Sequence, residues 1–152
     1  MRRLSGVILA GAILMLPAFS QNAGVQAQAP QKLTMEGDLA LWSVAIRPDK
    51  TGDFEKIMAK IKEALSKSEA PEAKQQLAGW KVIKMSKPMP DGNIIYTHVI
   101  TPVAGADYNI LQVLYATFKD PAEQKELYEM YRGAFAANLG ISSGTVAVDL
   151  SK

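Results

Sequence analysis

Apolar positions along the chain fall into two kinds of pattern. In residues 39–47, LALWSVAIR, apolar groups occupy both alternating sets: Leu39, Leu41 and Ala45 on one side, Trp42, Val44 and Ile46 on the other. That pattern predicts a strand with two apolar faces, stopped by Pro48 and Asp49. In residues 51–67 the spacing changes. Phe54, Ile57, Met58, Ile61 and Leu65 recur every three or four residues, which predicts one face of a helix. Thr51 is placed to cap it, with Asp53 and Glu55 in the first turn where the helix dipole favours negative charge. Residues 69–78 read as a short helical link, with Pro71 near its start and Gly79 ending it. Two strands follow, 80–87 and 94–101, folded about a turn at Pro90, Asp91, Gly92 and Asn93. Asp107 is placed to cap a helix over 108–118. Asp120 and Pro121 start another, whose stripe is Leu127, Met130, Tyr131, Ala134 and Phe135 and whose end is set by Asn138 and Gly140. The last strand is expected over 145–150, where Val146, Val148 and Leu150 share one face.

The resulting order, β-α-β-β-α-β, predicts an α+β fold of the ferredoxin-like kind: one four-stranded antiparallel sheet with helices on one face. The first and third strands are then central, so Trp42 and His98 ride on neighbouring strands. Helices cover only one side of such a sheet, and the other side should turn polar in a monomer. Here both central strands keep apolar groups on both sides. A bare sheet of that kind exceeds the apolar patch a monomer usually shows, so a homodimer with facing sheets is expected, enclosing a cavity.

The amino terminus adds an address. Arg2 and Arg3 precede an apolar run of about 16 residues, shorter than the roughly 20 a spanning helix needs. The run is followed by Val25-Gln26-Ala27. This predicts a signal peptide over 1–27 rather than a stable membrane anchor, cleaved near Ala27, then a flexible lead-in over 28–38 and one domain over 39–152. The mature protein is expected to be exported, to the periplasm or the extracellular medium. The chain of 152 residues carries a net charge of +2. Both positive charges in excess lie in the signal, leaving the domain neutral, which argues against a nucleic-acid partner. The chain has no cysteine, so disulfides, thiolate metal sites and thiol nucleophiles are excluded.

Candidate chemistry is sparse. His98 is the single imidazole. It could act as a general base or as an axial ligand to haem, against the plainer reading of a strand histidine satisfied by one hydrogen bond. Trp42, Trp80, Tyr96, Tyr108 and Tyr115 are the aromatics that could line a ligand cavity, or simply fill the core. Tyr128, Tyr131 and Arg132 sit together on the last helix, where they could grip a polar group. Residues 142–145, SSGT, lack the nucleophile-elbow pattern of serine hydrolases. There is no phosphate-binding glycine loop, no forced carboxylate pair and no metal-ligand spacing.

The element order, the short helical link before the hairpin and the split second helix resemble the dimeric α+β barrel proteins. These include the antibiotic-biosynthesis-type monooxygenases and the NIPSNAP and EthD-like domains. The resemblance spans about 39–150 and rests on pattern rather than on a signature motif. It implies a cavity for a small aromatic or lipophilic ligand; some members bind haem, although no cofactor is expected here. Three functions follow as expectations. The first is an exported dimeric domain that binds a small, largely apolar ligand. The second is a cofactor-independent monooxygenase or isomerase with His98 as base. The third is a domain that docks another protein on its open sheet face.

Overall fold

A computed structural model describes residues 31–151, so the expected signal peptide lies outside the described residues. The elements are β1 (Leu39–Ile46), α1 (Thr51–Lys67), α2 (Ala73–Gly79), β2 (Trp80–Lys84), β3 (Ile94–Ile100), α3 (Ile110–Thr117), α4 (Pro121–Ala134) and β4 (Phe135–Gly144). The strands form one antiparallel sheet in the order β2-β3-β1-β4. This is the ferredoxin-like arrangement, with β1 and β3 central. No helix among the described residues is long and apolar enough to cross a membrane.

All helices lie on one face. α1 packs against α2, α3 and α4 and buries Phe54, Ile57, Ile61, Ala64 and Leu65. Facing them on the sheet are Ala40, Trp42, Val44 and Ile46 of β1 and Tyr96, His98 and Ile100 of β3, all buried. Burying one such large apolar side chain stabilises the fold by about 1.5–3 kcal/mol, so this layer fixes which side of the sheet faces inward.

Local signals hold in some places and give way in others. Asp120 caps α4 as expected, its Oδ1 accepting the Ala122 N–H at 2.8 Å, with Pro121 in the first turn. Thr51 does not cap α1. A 3₁₀ turn at Pro48–Lys50 precedes the helix, and Lys50 reaches Asp53 at 3.1 Å. Asp107 does not cap α3 either; Asn109 does, accepting from the Gln112 N–H at 3.3 Å. Asp107 instead accepts from the Leu33 N–H at 2.9 Å, and the Tyr108 N–H donates to the Leu33 carbonyl at 2.8 Å. The lead-in is therefore tied down from Leu33 onward, and Met35 is buried.

The main departure is the last strand. β4 occupies Phe135–Gly144, and 145–150 form no strand. α4 ends at Ala134, before Asn138 and Gly140. Pairing with the central strand β1 overrides the local sequence here: Phe135 lies opposite Ile46 and Gly144 opposite Leu39. The extra residue at Leu139 is absorbed by a bulge between the Ser43–Gly140 and Val44–Asn138 pairs. Gly140 takes φ +104° at that point, a conformation glycine tolerates without a Cβ penalty. The Asn138 side chain fixes the bulge. Its Oδ1 accepts from both the Gly140 N–H and the Trp42 indole N–H, each at 3.1 Å.

Candidate functional site

The strand register brings Trp42 and His98 directly opposite one another, both facing the helices. Their rings stack at 4.6 Å between centroids and 21° between planes. On the other side, the Trp80 indole N–H donates to His98 Nδ1 at 3.0 Å. An indole N–H can only donate, so Nδ1 is the acceptor and the neutral ring carries its proton on Nε2. That Nε2 is buried and has no hydrogen-bond partner among the described residues. Phe54 of α1 stands perpendicular to the ring at 6.0 Å.

His98 has no exposed surface. Burial alone pushes its pKa from 6.5 down to about 4, because the charged form loses its hydration and gains no carboxylate. The ring is neutral at neutral pH. It is wedged between Trp42 and Trp80 on the helix side of the sheet, not on the face where a dimer cavity would lie. An axial haem ligand needs open space beside its nitrogen, and a general base needs reach to a substrate. The packing around His98 provides neither, so the residues present do not fit a haem.

Of the aromatic side chains singled out from the sequence, Trp42 and Trp80 touch the His98 ring, and Tyr108 and Tyr96 join one step further out through Trp80 and Phe54. Tyr108 meets the Trp80 ring at 5.4 Å, and its hydroxyl accepts from the Val103 N–H at 3.0 Å. Tyr96 packs on Phe54 at 4.7 Å and donates its hydroxyl hydrogen to Glu55 Oε1 at 2.6 Å. Lys84 donates to the same oxygen at 3.0 Å. The Tyr96 hydroxyl, then Lys84, hold the Glu55 carboxyl below its usual range. Tyr115 stands apart, with its hydroxyl 3.4 Å from the Gln124 carbonyl. Phe54 and Phe135 extend the aromatic cluster, their rings 6.0 Å apart. Sequence reasoning placed both only on apolar stripes of helices. The three candidates on the last helix separate: Arg132 donates to the Tyr128 hydroxyl at 2.9 Å on the exposed side, whereas Tyr131 turns inward onto Phe135 at 4.6 Å.

Trp42, Tyr96, Tyr108 and His98 are buried and line neither of the two grooves described next. Trp80 differs. It is half-buried, with its N–H directed inward to His98. It also contributes to a groove of about 380 Å³ between α1 and the edge strand β2. α1 supplies Met58, Ile61, Lys62 and Leu65, a stripe at i, i+3, i+4 and i+7; α2 supplies Leu77 and β2 supplies Val82. The groove exists because α2 is only seven residues long and leaves the helix side of β2 partly uncovered. Lys62 makes no ion pair among the described residues. A second crease, of about 440 Å³ between α1 and α4, is lined in part by Lys60, Glu63 and Glu123, with Lys60 paired to both carboxylates at 3.3 Å. Among the described residues no group of three or more His, Asp or Glu is placed to hold a metal ion.

Compared with known proteins, the chain matches no family model, no curated protein and no solved structure.

Proposed function

We propose that the domain binds a small, largely apolar ligand bearing a negative charge, seated in the groove over Trp80. The supporting observation is the groove's chemistry. Its size is in the range of small-molecule sites. Its walls are Met58, Ile61, Leu65, Leu77, Trp80 and Val82, and its single charge is the Lys62 ammonium, which has no counter-ion among the described residues. Apolar walls favour a hydrocarbon or ring, and the lone cation favours an acid over the matching alcohol. The reading with His98 as a catalytic base has less behind it, because the imidazole is sealed from both the groove and solvent.

Tryptophan fluorescence tests the assignment. In a Trp42→Phe background Trp80 is the only indole. Octanoate is expected to give a saturable change in its emission, with octanol binding more weakly. An exposed ion pair contributes a fraction of a kcal/mol, so Lys62→Gln should weaken octanoate about threefold and leave octanol unchanged. Leu77→Asp should abolish both. No saturable signal, or a signal indifferent to Leu77→Asp, defeats the proposal.

A further inference from the structure

The face of the sheet away from the helices carries Leu39 and Leu41 of β1 and Ile95 and Val99 of β3, with Ile83 and Met85 from the β2 side. Leu39, Leu41, Ile83 and Met85 are 40%, 41%, 50% and 46% exposed. Polar groups on this face are few, and the central ones are already paired: Ser43 and Thr97 hydroxyls lie 2.9 Å apart. Lys81, at the β2 edge, is the one charged strand residue on it. The adjoining edge is equally bare of charge. Among the described residues β4 pairs only with β1, and no residue from 133 to 148 is charged. A long, uncharged edge without proline or bulk charge is an open template for pairing unless something covers it.

The same chain carries a second unsatisfied feature. Val146, Val148 and Leu150 alternate in the manner of a half-buried strand, yet they are 60%, 72% and 94% exposed. The segment starts at the corner of the bare face. The Val146 N–H donates to Asp38 Oδ2 at 2.9 Å, and Val146 joins Leu39 and Leu41 in lining an apolar groove of about 340 Å³. It does not fold back onto its own sheet. β1 is used up where Leu39 meets Gly144, and 145–148, TVAV, contain no residue suited to a reversing turn.

We infer that two copies associate through this face, and that residues 145–150 of each copy lie across the open sheet of the other. A second copy fits better than an unlike partner for two reasons. A two-fold contact sets a surface against itself, so it must avoid like charges meeting, and this face has almost none. Each copy also offers both an uncovered sheet and an apolar segment to cover one, so the symmetric pairing satisfies both at once. This assembly uses the face opposite the Trp80 groove and does not rest on the ligand reading.

The test is light scattering on the purified protein, combined with disulfide trapping. A dimer is expected at micromolar concentration. Ending the chain at Gly144, or changing Val148→Asp with Leu150→Asp, should raise the dissociation constant about tenfold or more, as should Leu41→Lys. The chain has no cysteine, so Val148→Cys copies mixed with Ile83→Cys copies should give a mixed disulfide on oxidation. A monomer at high micromolar concentration overturns the inference altogether. A dimer that survives loss of the tail unchanged and forms no mixed disulfide overturns the crossing of the tail.

Discussion

Protonating His98 should cost the fold stability. The group is unusual in that its folded pKa, about 4, lies below its ordinary 6.5 through burial alone. Between those two values the unfolded chain binds a proton that the folded protein refuses. Stability therefore falls as pH falls from 6.5, and the loss is complete once pH passes below about 4. At about 1.4 kcal/mol per pH unit the full gap is worth about 3 kcal/mol, and about 2 kcal/mol of it is already lost at pH 5. Urea midpoints at pH 7.5 and pH 5 read this directly. Other groups titrate in the same interval, so the decisive quantity is the difference between wild type and His98→Phe. The variant leaves the Trp80 N–H without its acceptor and should be less stable at pH 7.5. Its loss between pH 7.5 and 5 should nevertheless be about 2 kcal/mol smaller than that of the wild type. NMR provides a readout that needs no variant. One histidine gives one set of imidazole signals, expected to show the Nε2–H tautomer and no titration between pH 7.5 and 5. An imidazole that titrates near 6.5, or equal pH dependence in both proteins, refutes the reasoning.

Three positions tied to the backbone give further predictions. Gly37 has φ +81°, and a Cβ there would lie 2.4 Å from the Gly144 carbonyl oxygen. Gly37→Ala should cost more than about 3 kcal/mol, combining left-handed strain with a clash against backbone. Gly92→Ala, at φ +85° with open space around it, should cost only the strain, about 1–2 kcal/mol; equal losses in thermal unfolding would contradict the clash. Asn138→Ala removes the acceptor of the Trp42 indole N–H and of the Gly140 N–H together. A loss of about 1–3 kcal/mol is expected, with Asn138→Asp keeping most of the stability because both accepted bonds survive. If Asp and Ala behave alike in denaturant midpoints, the bulge does not depend on that oxygen.

The sequence was readable where local chemistry and tertiary placement agree. α1 has a single apolar stripe, and that stripe is the one buried. α4 begins where Asp120 and Pro121 say it should, because an acceptor and a residue lacking an N–H suit the first turn in any context. The site was readable in residue type and not in arrangement. Trp42, Trp80, Tyr96 and Tyr108 could be picked out as large aromatics, but their meeting depends on the pairing of β1 with β3 and of β2 with β3. The direction of His98 depends on it too. β3 alternates Ile94, Tyr96, His98 and Ile100 against Ile95, Thr97 and Val99, and neither set is polar enough to choose the outer face. The register with Trp42 makes that choice, together with the Trp80 N–H that holds Nδ1 from the edge strand.

The error over the last strand and the bare sheet face have a common physical origin. Taken alone, 145–150 is the better strand: valines and a leucine at period two, against a β4 rich in alanine, serine and glycine. Strand formation is decided by which backbone is available to pair. β1 has eight residues, from Leu39 to Ile46. Asn138 fixes the frame by binding the Trp42 indole across the sheet, and in that frame Ala134 ends α4 and Gly144 already faces Leu39. Among the described residues no partner strand remains beyond that point. The segment with the strongest strand pattern is thereby left outside the sheet, with its apolar side chains exposed beside an apolar face. The Asn138 bond thus sets how much of the chain is left outside the sheet, which is the part proposed to reach a second copy. Removing it should loosen the β4 register and the position of the tail together. On the pairing proposed above, the Asn138→Ala protein should lose dimer affinity as well as stability, even though Asn138 faces the helix side of the sheet and lies away from the face proposed to join the copies.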